Sequence, residues 1–129
     1  MTKMARSDSN DVIAEICVDS IEGVRAAKAV DAARVELCSA LLEGGLTPSF
    51  GMTKQAKTVA GPVGVHVMIR PRGGDFLYSD DEFAAMKDDI AALSELSVEG
   101  FVFGLLTCEG DVDVGRVAEL TALCRPSKV

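Results

Sequence analysis

The sequence has few of the residues that mark several common classes of protein. It contains no tryptophan, one tyrosine and one histidine, and its four cysteines show no C-x-x-C spacing. A structural zinc knuckle or a thioredoxin-type motif requires that spacing, so neither is predicted. The apolar runs are too short to cross a bilayer, and residues 1–11 lack the apolar core of a signal peptide. We therefore expect a cytoplasmic protein that does not bind membranes, with reduced cysteines and a disordered segment over residues 1–11.

Basic residues are also scarce. The chain has 13 lysines and arginines against 20 aspartates and glutamates, which gives a formal charge of −7. This excess repels nucleic acid and anionic lipid, so neither is an expected partner. With 129 residues, 48% of them hydrophobic, the chain can bury one core, and we expect a single domain over residues 12–129. The expected partners are therefore metal ions, small molecules or proteins.

Short apolar runs alternate with helical patterns, with a repeat of about 30 residues. Strands are predicted over residues 12–18, 34–38, 63–69 and 101–105. Each is followed by a helix with a predicted N-cap, and the four caps are Ser20, Ser49, Ser79 and Asp113. Ser79 and Glu82 form a capping box ahead of an amphipathic helix. This alternation predicts an α/β fold with four parallel strand–helix units.

The strand faces distinguish between two such folds. A doubly wound sheet buries both faces of its strands, whereas a TIM-type barrel turns one face toward a lumen that holds functional groups near its mouth. Alternate positions of the first three strands are polar or contain sulfur: Glu15 and Cys17; Arg34, Glu36 and Cys38; His66, Met68 and Arg70. The positions between them are apolar. The pattern predicts a partial TIM-type (β/α) barrel.

Two cysteines stand at the carboxyl ends of neighbouring predicted strands. Cys17 and Cys38 each follow a glutamate by two residues, and parallel strands would bring both thiols to one mouth of the barrel. Thiolates and thioethers favour Cu(I), and Met68 and His66 share the predicted face as possible third ligands. The alternative is equally compatible with the spacing, because a free cysteine often packs as a small buried hydrophobic residue.

Two strand carboxylates are candidates for acid–base chemistry. Glu15 and Glu36 face the predicted lumen, where an unpaired carboxylate costs several kcal/mol. One interpretation is an ion-pair network with Arg34 or Arg70. The other is a general acid and base at the mouth of an active site. The sequence leaves both open, and enzymatic activity stays undecided.

A loop with two arginines follows the third strand. Arg70 and Arg72 precede Gly73 and Gly74, and two guanidinium groups with a flexible backbone can close on a phosphate or carboxylate. This predicts an anion-binding site for a small substrate. In the alternative interpretation, Arg70 neutralises Glu36 and the glycines only permit a tight turn.

Several motifs resemble a known family. They read EICVDS at 15–20, RVELCS at 34–39, EGGLTPS at 43–49, VMIRPRGGDFLYSD at 67–80, FVFG at 101–104 and LCRP at 123–126. The chain resembles the CutC copper homeostasis proteins, which are cytosolic TIM-type barrels. The resemblance implies copper as the bound metal, Cu(I) ligation by Cys17 and Cys38, and self-association into a homo-oligomer. The resemblance does not imply any particular enzymatic reaction.

The chain also departs from the family pattern. Family members continue after the Arg-Pro with further strand–helix units, so we expect a truncated isoform, either closed by a second copy or associated with full-length chains. Val30 and Asp31 replace two glycines that end the first helix, and Ser97 replaces a glycine that ends the third. Loss of a glycine at such a position weakens the helix end.

Overall fold

The structure is a computed structural model that describes residues 12–129, so the predicted disordered segment lies outside the described residues. Strands and helices alternate along the chain: β1 (Glu15–Val18), α1 (Ile21–Ala29), β2 (Arg34–Leu37), α2 (Phe50–Ala60), β3 (Gly64–Met68), α3 (Asp80–Ser94), β4 (Gly100–Val102) and α4 (Val114–Cys124). A single 3₁₀ turn, Leu41–Glu43, lies between β2 and α2. The prediction of four strand–helix units is confirmed.

The four strands form one parallel sheet in the order β1-β2-β3-β4. Their carboxyl ends therefore lie along one edge, as in a TIM-type barrel. Beyond α4, Lys128 pairs in parallel with Gly100, and the Phe101 N–H donates to the Lys128 carbonyl at 2.9 Å. Residues after α4 thus begin to align beside β4.

All four strands are shorter than predicted, and β1 and β4 show why. Val12 and Ile13 are 92% and 65% exposed and lie outside β1, because they have no ladder partner in β2. At the other end of the sheet, β4 ends at Val102, whose carbonyl accepts from the Ile69 N–H at 2.8 Å just after β3 has ended. Hydrophobic residues continue to Leu105, but β3 ends at Met68 and offers them no further ladder partner.

Each helix begins at the predicted cap. Ser20, Ser49 and Ser79 accept backbone N–H bonds through their hydroxyls, and Asp113 does so through its carboxylate. The predicted capping box is present, since the Ser79 N–H donates to the Glu82 carboxylate at 2.8 Å and the Glu82 N–H donates back to the Ser79 hydroxyl. Satisfying these N–H groups stabilises a helix by about 1 kcal/mol per cap.

The core lies between the helices and the apolar face of the sheet. Its strand residues include Val35, Leu37, Val65, Val67 and Phe101, all at most 1% exposed. The amphipathic helix predicted after the capping box is α3, and the apolar residues at its helical spacing are buried: Phe83, Met86, Ile90 and Leu93. The sequence pattern predicts that Val114, Val117 and Leu120 face inward on α4. Leu120 is buried and Val117 is partly buried, but Val114 is 71% exposed because the first residue of the helix turns to solvent.

The helices of the described residues are short. The longest, α3, has 15 residues. Among residues 12–129 no helix combines the length and the apolarity needed to cross a membrane.

Two of the three substituted glycine positions adopt left-handed backbone geometry. Asp31 follows α1 with φ 53°, and Ser97 follows α3 with φ 54°. A side chain in this region costs about 1–2 kcal/mol, although aspartate tolerates it better than serine. The predicted weakness of these helix ends therefore has a backbone cause.

We expect Ser97→Gly to raise the free energy of unfolding by about 0.5–1 kcal/mol, because the relief of left-handed strain exceeds the added chain entropy. Asp31→Gly should give a smaller gain. The matched control is Val30→Gly, since Val30 has φ −103° and no strain to relieve. Denaturant unfolding followed by circular dichroism measures the three changes. A gain from Val30→Gly equal to that from Ser97→Gly would contradict this explanation.

Candidate metal centre

Two thiols meet at the carboxyl edge of the sheet. Cys17 lies in β1, and Cys38 follows the last residue of β2. The sheet ladder fixes their backbones, since the Cys38 N–H donates to the Val18 carbonyl at 2.9 Å. Their sulfur atoms are 3.7 Å apart. Cys17 is exposed and Cys38 is buried, so the pair has one side open to solvent.

A carboxylate completes a triangle with the two sulfurs. The Glu36 Oε1 atom is 3.7 Å from the Cys17 Sγ and 3.7 Å from the Cys38 Sγ. This follows from the register, which places Cys17 directly opposite Glu36 on adjacent strands. Among the described residues, Cys17, Glu36 and Cys38 are the group of acidic, cysteine and histidine side chains whose donor atoms lie close enough to hold a metal ion.

The surroundings of the triangle raise the pKa of all three of its groups. Burial raises the pKa of both thiols above its ordinary value, more strongly for Cys38, and the nearby Glu36 adds to the effect for each. Burial and then the neighbouring Glu15 raise the pKa of the Glu36 carboxyl. A metal ion that binds here must displace thiol protons, since the thiolate is the ligand.

A tight loop covers Cys38. Gly45 has φ 90°, and a Cβ atom on it would lie 2.9 Å from the Cys38 Sγ. Only glycine allows the backbone to approach the sulfur this closely in this geometry. The loop therefore fixes the position of the Cys38 thiol.

Arg70 holds this loop in place. Its guanidinium donates to the carbonyls of Glu43 at 2.8 Å, Gly45 at 3.1 Å and Gly74 at 2.9 Å. The side chain is 8% exposed and lies over the Phe76 ring, 5.1 Å from its centroid. The interpretation in which Arg70 neutralises Glu36 was wrong, because the guanidinium bonds to backbone carbonyls of two loops.

The second arginine of the predicted anion site is also bound to protein groups. Arg72 donates to the Glu82 carboxylate at 2.6 Å and forms an ion pair with Asp75 at 3.1 Å. One donor remains, because the Arg70 Nε is buried with no partner among the described residues. The anion site of Arg70, Arg72, Gly73 and Gly74 stays a prediction.

The two other candidate copper ligands lie on β3, the strand beside β2, and each lines a cavity. Met68 lines a cavity of about 240 Å³ together with Tyr78 and Phe103. His66 stands opposite Glu36 in the register but faces a different cavity of about 260 Å³. Burial and the nearby Arg34 lower the pKa of His66. His66 is not part of the group of donor atoms that lie close to the two sulfurs.

The two candidate acid–base residues have different partners. Glu15 forms an ion pair with Arg34 at 2.5 Å, as the ion-pair interpretation predicted. Glu36 contacts the two thiols instead. The sequence placed Glu36 on the lumen face but did not associate it with a metal, although its position opposite Cys17 follows if the first two strands pair in register.

Comparison with known proteins places these observations in a family. The model of the CutC family matches residues 12–129. A protein described as family protein CutC from Mesorhizobium japonicum is 52% identical over 115 residues, which are 89% of this chain and 44% of that relative. The copper homeostasis protein cutC homolog of Mus musculus is 49% identical over 120 residues, 93% of this chain and 44% of the relative.

A solved structure has the same fold. The putative copper homeostasis protein CutC from Streptococcus agalactiae superposes with a TM-score of 0.82 at 35% identity, covering 88% of this chain and 55% of that one. The prediction of a partial TIM-type barrel is confirmed. The chain spans about half the length of the relatives it matches.

Proposed function

Because the chain belongs to the CutC family, we propose that it acts in copper homeostasis by binding Cu(I) through the thiolates of Cys17 and Cys38. The observation that carries the proposal is the 3.7 Å separation of the two sulfurs at the carboxyl edge of the sheet. Two convergent sulfur donors suit Cu(I), which prefers soft ligands. Two of the relatives carry copper homeostasis in their names.

The different exposure of the two thiols supports the proposal. The exposed Cys17 meets the ion first, and the buried Cys38, held beneath Gly45, completes the pair. Each thiol gives its proton to solvent as it becomes a ligand. Met68 and His66 stay candidates for a third ligand.

The test is an anaerobic competition titration with a Cu(I) chelator. We expect the wild-type chain to retain one Cu(I) ion in competition with the chelator. The Cys17→Ser, Cys38→Ser double variant should lose its Cu(I) to the chelator. Equal copper retention by the two proteins would overturn the proposal.

The proposal includes self-association in the cytosol. Four free thiols are what a reducing compartment maintains. β1 forms one edge of the described sheet, and such an edge pairs readily with another chain. We expect sedimentation velocity to show species heavier than the 13.6 kDa chain as concentration rises. A 13.6 kDa species at every concentration would contradict this part of the proposal.

A small-anion site is a second candidate function. The Arg70 Nε and the Tyr78 hydroxyl are buried without partners among residues 12–129, and both residues line the cavity of about 240 Å³. Two unpaired polar groups beside one cavity favour a ligand with acceptor oxygens, such as a phosphate or carboxylate. If Glu15 or Glu36 acts as a general acid or base, the anionic substrate has to lie beside that carboxylate.

A further inference from the structure

The geometry of the sulfur–carboxylate triangle points to a second metal specificity. We propose that Cys17, Cys38 and Glu36 together form a three-donor site for a divalent ion of borderline softness, such as Zn²⁺. This inference rests on the proposed function only in that both use the two cysteines. It differs in the metal, which is a divalent ion instead of Cu(I), and in the role of Glu36, which becomes a ligand.

The spacing of the three donors matches a tetrahedral ion. With zinc–sulfur bonds of about 2.3 Å and zinc–oxygen bonds of about 2.1 Å, the tetrahedral edges are about 3.8 Å between sulfurs and about 3.6 Å between sulfur and oxygen. The three distances in the structure are all 3.7 Å. A linear dithiolate would instead separate the sulfurs by two metal–sulfur bonds, about 4.6 Å at that bond length.

The charge of the triangle also favours a divalent ion. Two thiolates and one carboxylate bring three negative charges to a half-buried site. Arg34, a cation on the same strand face, is already paired with Glu15 at 2.5 Å. A divalent ion neutralises one more charge than Cu(I) does, and uncompensated charge is costly where water is partly excluded.

The donors are held before any ion arrives. Cys17 and Glu36 face each other across the β1–β2 ladder, and Gly45 restrains Cys38 from the loop side. Three protein donors leave one tetrahedral position for water or another exogenous ligand, as in catalytic rather than structural zinc sites. The exposed side of Cys17 gives that position access to solvent.

The test compares Glu36→Gln with the wild-type chain in anaerobic titrations with Zn²⁺, Co²⁺ and Cu(I). Glutamine keeps the size of the side chain and removes the anionic donor. We expect the wild type to bind one Co²⁺ with thiolate-to-cobalt charge-transfer absorption and tetrahedral ligand-field bands. Glu36→Gln should weaken Zn²⁺ binding by at least about 10-fold while changing Cu(I) affinity by less than about 3-fold.

The matched control is Glu109→Gln, because Glu109 also contacts a thiol, that of Cys108 at 3.0 Å, but in an exposed loop with one cysteine. It should leave Zn²⁺ affinity unchanged.

Equal Zn²⁺ affinity in the wild type and Glu36→Gln, or an octahedral Co²⁺ spectrum in the wild type, would overturn the inference even if Cu(I) binds as proposed. Cu(I) retention by the double cysteine variant would overturn only the copper proposal. If Glu36→Gln unfolds, the Co²⁺ spectrum of the wild type still decides.

Discussion

Replacing Cys17 and Cys38 together by serine should lower the Cu(I) affinity of the chain by at least about 100-fold. Removal of a group that merely supports a metal ligand costs 10–100-fold in affinity, so removal of the ligands themselves should cost no less. A serine hydroxyl is a hard donor and does not replace a thiolate for Cu(I).

Two further variants separate copper ligation from folding. Cys108→Ser is the matched control, because Cys108 is an exposed free thiol outside the triangle, and it should bind copper as the wild type does. Cys38 is fully buried, so its replacement also places a hydroxyl in the interior. The single variant Cys17→Ser, at the exposed position, avoids that cost. An unchanged affinity in Cys17→Ser with intact circular dichroism would count against the paired-thiolate site.

Replacing Arg70 by methionine should lower the free energy of unfolding by about 2–4 kcal/mol. Arg70 is almost fully buried, and its guanidinium bonds three carbonyls in the loops that follow β2 and β3. Hydrogen bonds from a charged donor contribute about 1.5–3 kcal/mol each, and the carbonyls would lose their partners. The loss is smaller than the sum of the three bonds because the substitution also removes the cost of burying a charge. Because Gly45 packs on the Cys38 sulfur, the freed loop should also weaken copper binding.

Denaturant unfolding of Arg70→Met beside Arg25→Met measures this effect. Arg25 lies on the exposed face of α1, where the same substitution should change stability by less than about 0.5 kcal/mol. Arg70→Lys should recover only part of the loss, since a lysine lacks the planar fork that reaches several acceptors. A loss for Arg70→Met no larger than for Arg25→Met would show that the loops do not depend on the guanidinium.

The same variant addresses the small-anion candidate. If the free Arg70 Nε and the Tyr78 hydroxyl hold an anion, inorganic phosphate should raise the Tm of the wild type and leave that of Arg70→Met unchanged. Tyr78→Phe should reduce the phosphate response while preserving the three bonds from Arg70 to the loops. The absence of any phosphate response in the wild type would remove this candidate.

Local chemistry explains why much of the fold could be predicted. The caps at Ser20, Ser49 and Ser79 depend on side chains that bond to backbone groups two or three residues away, so the sequence alone locates them. The strand faces follow from the two-residue period. Strand ends depend on the neighbouring strand instead, which is why Ile13 and Leu105 were wrongly included.

The site was harder to predict than the fold. The cysteines could be assigned to one edge because parallel strands end together. The triangle also needs the register that sets Cys17 against Glu36, and a residue pattern does not fix that register. The role of Arg70 depends on the shape of two loops, since backbone carbonyls that accept its bonds have no signature in the sequence. Its charge therefore suggested a carboxylate or anion partner.

X-ray absorption at the copper edge tests the central claim most directly. In the wild-type chain loaded anaerobically with one equivalent of Cu(I), we expect sulfur neighbours in the first shell, and the same spectrum in Cys108→Ser. In the Cys17→Ser, Cys38→Ser variant the sulfur neighbours should be lost. A wild-type spectrum with only nitrogen and oxygen neighbours, or unchanged sulfur neighbours in the double variant, would contradict copper binding by this pair of thiolates.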